Sequence, residues 1–254
     1  KVTQINKTET ILDSYFALAL FSTCVVENVI FFSGSNQIYF LDYLGGHFKL
    51  SRYVSIGSPI DLFRVYGGLG VISRKGTHFY FSNFAFYDIQ EQVLELDFYC
   101  TVYTTLDVYF VCAEPQKFNV YKADKNSGLY LLLKSISSES FNISKPFDIL
   151  DMDLKQGEIP QKYYLFMLDS NLGVRIIDMD AITEANQEMH FLDNFLPYRK
   201  SKFIRCSSDK VYLIEDDGAI EIYQTDLGYI NKIYTKASGQ VTQVEVLANF
   251  VYVH

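Results

Sequence analysis

Residues Tyr164 to Asp178 read YLFMLDSNLGVRIID. An apolar run leads into Asp169-Ser170-Asn171-Leu172-Gly173, and a second run, Val174-Arg175-Ile176-Ile177, closes on Asp178. Each run has strand length, and the segment between them has the Asp, Asn and Gly of a tight turn. The stretch predicts two antiparallel strands joined as a hairpin.

The same element recurs. It appears as Val29 to Asp42 (VIFFSGSNQIYFLD), His78 to Asp88 (HFYFSNFAFYD), Val108 to Lys122 (VYFVCAEPQKFNVYK) and Val211 to Gln224 (VYLIEDDGAIEIYQ). Phe250 to His254 (FVYVH) restarts its first strand. The second strand of each unit begins at Ile38, Phe84, Phe118, Val174 and Ile220, with spacings of 46, 34, 56 and 46 residues. A four-stranded propeller blade occupies ~40–50 residues, so the period fits one blade per unit.

Two further strands per unit complete the blade. An alternating strand precedes each pair: Tyr15 to Phe21, Leu62 to Ile72, Leu96 to Tyr103, Phe147 to Met152, Lys202 to Cys206 and Val241 to Leu247. An outer strand follows: Phe48 to Val54, Gln92 to Leu96, Leu129 to Ser135, Glu188 to Leu192 and Tyr229 to Thr235. Lys49, Arg52, Glu91, Glu95 and Lys232 give outer strands the charges that discourage edge pairing. No stretch shows a convincing helical period; Ala181 to Met189 comes nearest and is short and polar. The expected fold is an all-β propeller of four-stranded blades in one domain, 1–254. Its blades fall at 9–56, 57–95, 96–143, 144–197 and 198–236, with a partial blade at 237–254. About five and a half blades are covered. The first residue is Lys1 and the last strand stops at His254, so the expectation is part of a longer chain with a ring of six to eight blades. Two stacked β-sandwiches without circular order are the alternative architecture.

The bulk numbers agree with a large β core. The chain has 254 residues, 49% hydrophobic and 16% aromatic, with 20 Tyr, 21 Phe and no Trp. This is too apolar for a disordered tail and too long for a disulfide-stapled miniprotein. Net charge is −8. Nucleic-acid binders carry a basic stripe against the phosphates, and the longest basic cluster here is Arg199, Lys200 and Lys202, read as a solvated strand edge. No nucleic-acid partner is expected. The longest apolar run, Tyr15 to Phe21, falls short of the ~20 residues that span a bilayer, so no membrane insertion by this segment is expected.

Tyr163 to Asp180 (YYLFMLDSNLGVRIIDMD) resembles the LVIVD repeat of propeller proteins through Gly173, Val174, Ile176, Ile177 and Asp178. The first unit matches more loosely through Ile38, Phe40, Leu41 and Asp42, and the other units share only period and pattern. The resemblance implies a non-enzymatic protein in a secreted or cell-surface setting. WD-repeat, sialidase-type and quinoprotein propellers mark their blades with Trp, which is absent. Gly45-Gly46 and Gly67-Gly68 lack the context of kelch blades and read as turns.

The chemistry-bearing residues are few. Asp169, Asn171 and Gly173 have the opening of a calcium loop, but no further ligand follows, and an Asx-type hairpin turn is the plainer reading. Glu215-Asp216-Asp217-Gly218 is an acidic hairpin turn. Asp148, Asp151 and Asp153 cluster at an inner strand, with Asp151 and Asp153 on one face and Asp148 on the other. His47, His78, His190 and His254 are scattered, and no metal, cofactor or catalytic motif occurs. Cys100 and Cys112 flank an expected turn at 104–107. Pairing centred on residue 106 would put them opposite each other, near disulfide reach, with two buried thiols as the alternative. Cys24 and Cys206 have no evident mates. Asn6 and Asn142 head glycosylation sequons.

These readings converge on a non-enzymatic interaction or structural module within a larger protein or assembly. Its expected partners are other protein chains, met through loops or the side of the ring, with Ser137 to Lys145 and Lys155 to Gln161 as contact segments. The alternative is a propeller enzyme or carbohydrate-binding lectin with an axial acidic pocket built from Asp148, Asp151 and Asp153.

Overall fold

The computed structural model describes residues 22–26, 29–44, 47–66, 68–75, 78–85, 91–96, 102–157, 159–183, 189–197, 200–207, 210–215, 217–224, 229–233, 241, 244–247 and 250–253. Those residues form five four-stranded antiparallel sheets and one hairpin, and in each sheet every strand pairs with the next in chain order. The first sheet is β1 (Ser22–Val26), β2 (Val29–Ser33), β3 (Gln37–Leu44) and β4 (His47–Ser55); the second is β5 (Pro59–Val65), β6 (Gly68–Lys75), β7 (His78–Ala85) and β8 (Glu91–Leu96). The third holds β9 (Tyr103–Leu106), β10 (Tyr109–Glu114), β11 (Lys117–Ala123) and β12 (Tyr130–Ser137). The fourth holds β13 (Ile149–Gln156), β14 (Tyr163–Asp169), β15 (Gly173–Asp178) and β16 (Asp193–Phe195). The fifth holds β17 (Phe203–Cys206), β18 (Lys210–Ile214), β19 (Ile220–Gln224) and β20 (Tyr229–Ile233), and β21 (Val244–Leu247) pairs with β22 (Phe250–Val253). A five-residue helix, α1 (Met179–Thr183), follows β15.

The chain divides into two compact units, residues 1–99 with 125–129 and residues 100–124 with 130–254. In the first, sheets one and two stack face to face. Val26, Phe31, Ile38 and Phe40 from one pack with Leu62, Leu69 and Val71 from the other. In the second unit, Phe166, Leu168, Val174 and Ile176 pack with Ile204, Val211, Leu213 and Tyr223 across sheets four and five. Tyr212, Ile214 and Ile220 then pack on Val241 and Val244. A four-stranded sheet has two apolar faces and cannot bury both alone, so stacking on neighbours supplies the cover. The second strand of a blade is covered on both faces, and Tyr109 to Ala113 of β10 and Val211 to Ile214 of β18 are buried throughout. Their near-continuous apolar sequences follow from that double cover.

The second sheet departs from the sequence reading. Leu62 to Ile72, expected as one strand, is two, β5 and β6, turning near Tyr66. His78 to Asp88, expected as strand, turn and strand, holds the single strand β7, and Ser82 and Asn83 are paired mid-strand with Val71 and Gly70. The reason lies at Gly70, which pairs with Phe63. A Cβ there would stand 2.5 Å from Phe63 Cε2 and 2.7 Å from Val65 Cγ1, so only glycine fits. The two glycines of β6 dilute the apolar signal that marks the second strand elsewhere. With this correction the third strands begin at Gln37, His78 and Lys117, spaced 41 and 39 residues rather than 46 and 34. Tyr15 to Phe21, expected as the first inner strand, lies outside the described residues.

Candidate functional site

The acidic cluster starts from the pattern of β13, ILDMDLKQ. Strand alternation puts Asp151 and Asp153 on one face, where Met152 and Leu154 take the other. Met152 and Leu154 are core residues. Asp151 is also buried, and Asp153 is partly buried. Both carboxylates face the neighbouring inner strands instead of standing free. Asp151 Oδ2 accepts the Ile204 N–H at 2.9 Å and forms a short ion pair with the Arg205 guanidinium. Asp153 Oδ2 accepts the Cys206 N–H at 2.7 Å. Its Oδ1 accepts the Leu154 N–H at 2.9 Å and the Thr104 hydroxyl at 3.3 Å. The Leu154 N–H also reaches Thr104 Oγ1 at 3.2 Å. Arg205 goes further, donating to the Ile204 carbonyl at 2.6 Å and through Nε to the Val244 carbonyl at 3.1 Å.

The electrostatics follow from this enclosure. Burial pushes Asp153 up to about 6, against the N–H donors and Arg205 that favour its ionised form. Burial also raises Asp151, with Arg205 opposing. The Cys206 thiol is raised well above its ordinary value by burial first and by Asp153 second.

The first unit repeats the clamp with a serine. The Ser22 hydroxyl donates to Asp61 Oδ1 at 2.7 Å, and the Leu62 N–H reaches Ser22 Oγ at 3.1 Å and Asp61 Oδ1 at 2.9 Å. Ser22 with Asp61-Leu62 and Thr104 with Asp153-Leu154 are therefore the same device. An inner-strand hydroxyl meets an Asp and the following N–H on the next inner strand. The sequence signal is a Ser or Thr in one inner strand and Asp-Leu in the next, legible only once strand positions are known. A different tie joins β9–β10 to β14: the Tyr163 hydroxyl donates to Asp107 Oδ2 at 2.6 Å, and its ring lies 5.2 Å from that of Tyr109. Burial and Asp107 push Tyr163 up to about 12.

Asp148 stands apart from the pair. Its N–H donates to Asp169 Oδ2 at 2.7 Å, and its exposed carboxylate takes a short hydrogen bond from the Ser170 hydroxyl. Asp169 Oδ1 accepts the Asn171 and Leu172 N–H groups at 2.8 and 2.9 Å. Asp169 to Gly173 is thus an Asx-stabilised hairpin turn, with Gly173 at φ 76. In the acidic turn before β19, Glu215 and Ala219 pair by backbone at 2.9 Å, and Asp217 Oδ1 accepts the Ala219 N–H at 3.0 Å. Among the described residues no group of three His, Cys, Asp or Glu could hold a metal ion.

The remaining candidates fall as follows. Cys112 is buried and its register partner across β9 is Tyr103, not residue 100. Cys100 and Asn6 lie outside the described residues. Asn142 is exposed, at φ 57, ending a short 3-10 turn, Ser138–Phe141. Phe141 in that turn is buried and stacks on Phe191 with centroids 4.1 Å apart, which ties this part of the 137–145 segment to the run just before β16 of the fourth sheet. In the 155–161 segment Ile159 is 65% exposed. Lys202 lies over the Phe203 ring at 5.2 Å.

The sequence reading places an outer strand at Leu129 to Ser135 but does not single out its leucines. On β12, Leu131, Leu132 and Leu133 are 62%, 55% and 39% exposed. Register shifts between Val120 and Tyr121, opposite this run. Corresponding shifts occur between Phe40 and Leu41 beside β4, and between Ile222 and Tyr223 beside β20.

No protein-family model matches the sequence, and no curated protein matches it. Solved structures do match by fold. Kluyveromyces lactis Hsv2 with its complete loop 6CD superposes with a TM-score of 0.58 at 13% identity, over 90% of this chain and 66% of that one. The computationally designed protein Ika8 gives 0.57 at 15% identity, over 92% and 67%. Saccharomyces cerevisiae Sqt1 gives 0.56 at 10% identity, over 93% and 80%. The chain spans about two thirds of the length of the Hsv2 chain. The stacked four-stranded sheets and these likenesses establish the fold as a β-propeller.

Proposed function

We propose that this chain is a non-enzymatic β-propeller interaction module that docks another protein on the outer edge of its third sheet. The observation that carries the reading is the run Leu131-Leu132-Leu133, three exposed leucines on an outermost strand. Outer strands usually carry charge or twist to blunt their edges. Here the bulge at Leu133 interrupts the ladder, so backbone strand addition is disfavoured and the leucine side chains carry the contact. The expected partner presents an apolar surface, and such a patch on a soluble domain is a usual mark of a protein contact. The inner-strand carboxylates support the same choice, because Asp151 and Asp153 are engaged in joining strands.

The test places a photo-crosslinking amino acid at Leu132 or, as control, at Asn171, in cells of the native source. A discrete protein adduct at 132, absent at 171 and lost with Leu131→Lys, is expected. No adduct at 132, or one indifferent to Leu131→Lys, overturns the reading. The LVIVD-like segment and the exposed Asn142 support a secreted or cell-surface setting within this proposal. Glycosidase treatment of the native protein should then remove mass that Asn142→Gln also removes, and an unmodified Asn142 in the native protein counts against that setting.

A further inference from the structure

A continuous chain of hydrogen bonds links four consecutive inner strands of the second unit. It runs from Thr104 on β9 to Asp153 and Leu154 on β13, from Asp151 and Asp153 to the Ile204 and Cys206 N–H groups on β17, and from Arg205 to the Val244 carbonyl beyond. The charges along it do not balance. Two carboxylates share one face of β13; Arg205 is bonded to Asp151 and acts on Asp153 through its charge alone. From β17 the other titratable group beside them is the Cys206 thiol, with Lys155 acting on that thiol from the end of β13. From β9 the group in contact is the neutral Thr104 hydroxyl. From β14 the residues opposite Asp151 and Asp153 are Leu168 and Phe166.

We propose that the seam between β13 and β17 is a proton-operated latch, firmer in mildly acidic than in neutral solution, because one proton taken up by the Asp151–Asp153 pair leaves it balanced against Arg205. The proton comes from solvent and goes to Asp153 Oδ1, where Thr104 Oγ1 is the acceptor within reach. The Thr104 hydroxyl proton then turns away from Asp153. Oδ2 keeps the Cys206 N–H, and the Leu154 N–H, which shares Oδ1 with the added proton, keeps Thr104 Oγ1 as its second acceptor. The rise of Asp153 to about 6, caused first by burial, places the switch in a physiological range. The sign follows by linkage. A carboxyl whose pKa is higher in the closed seam than in an opened, hydrated one binds its proton more tightly when closed. The closed seam therefore gains stability as pH falls through about 6 and keeps the full gain below the ordinary value near 4.

Amide hydrogen exchange on the whole chain tests this. Protection at Ile204 and Cys206, corrected for intrinsic rates, should be about tenfold greater at pH 5 than at pH 7, the size that follows from a shift of this kind. Asp153→Asn should remove that dependence. Flat protection in the wild type, the same dependence in Asp153→Asn, or an equal change at Ile177 on β15 overturns the latch. Should Asp153→Asn not fold, the carboxyl carbon of Asp153 in the wild type gives the answer directly by its NMR titration. A midpoint near 6 is expected, and one at about 4 overturns the proposal.

Discussion

Thr104 shows how much one hydroxyl can join. Its oxygen takes the Leu154 N–H at 3.2 Å while its proton goes to Asp153 at 3.3 Å. Valine has nearly the same shape and neither function. Thr104→Val is expected to destabilise the chain by about 1–2 kcal/mol, since Asp153 keeps its partial burial and loses a donor. Thr104→Ser, which restores the group that Ser22 supplies in the first unit, should recover most of the loss. Urea unfolding of the three proteins measures both effects, and equal midpoints for Thr104→Val and wild type would mean that the hydroxyl bonds are solvated equally well once the chain unfolds. Asp151 and Asp153 could be found in the sequence and assigned to one face of their strand. Their partners could not, because Arg205 and Thr104 lie about fifty residues away in either direction and only strand stacking brings them together.

Strands and turns were the most legible level. The hairpins β2–β3, β10–β11, β14–β15 and β18–β19 lie where the recurrent pattern of apolar run, polar turn and apolar run predicts them. That pattern is local: period-two side chains and turn residues act over a handful of positions. It fails in the second sheet, where Gly70 makes room for Phe63 and Val65 and so gives up the apolar residue that would have announced β6. The outer strands carry a second regularity, a bulge opposite the third or fourth residue of the strand inside them in the first, third and fifth sheets. A bulge adds twist and spoils the edge for pairing. This protection is what lets β12 expose three leucines without inviting strand addition along that run.

At the scale of the molecule, stability resides in the seams between sheets. Phe166 is 2% exposed and sits in the cluster formed by sheets four and five. Phe166→Ala is expected to cost about 3–5 kcal/mol, the usual range for a buried aromatic replaced by a cavity. Thermal or urea unfolding followed by tyrosine fluorescence would measure it; a loss below about 1 kcal/mol would show that the seam closes over the cavity. That the chain is all-β, that its strands come in repeated sets and which turns join the hairpins can all be read from the residues alone. Alternation, turn chemistry and run length are properties of neighbouring residues, and they survive without any knowledge of the fold. What the distinctive side chains meet is settled by packing. It joined Asp151 to Arg205, put Tyr103 opposite Cys112, seated Phe141 on Phe191, and left Leu131 to Leu133 at an edge. Those outcomes depend on register and on which sheet stacks on which, and both are set by packing between segments far apart in the chain.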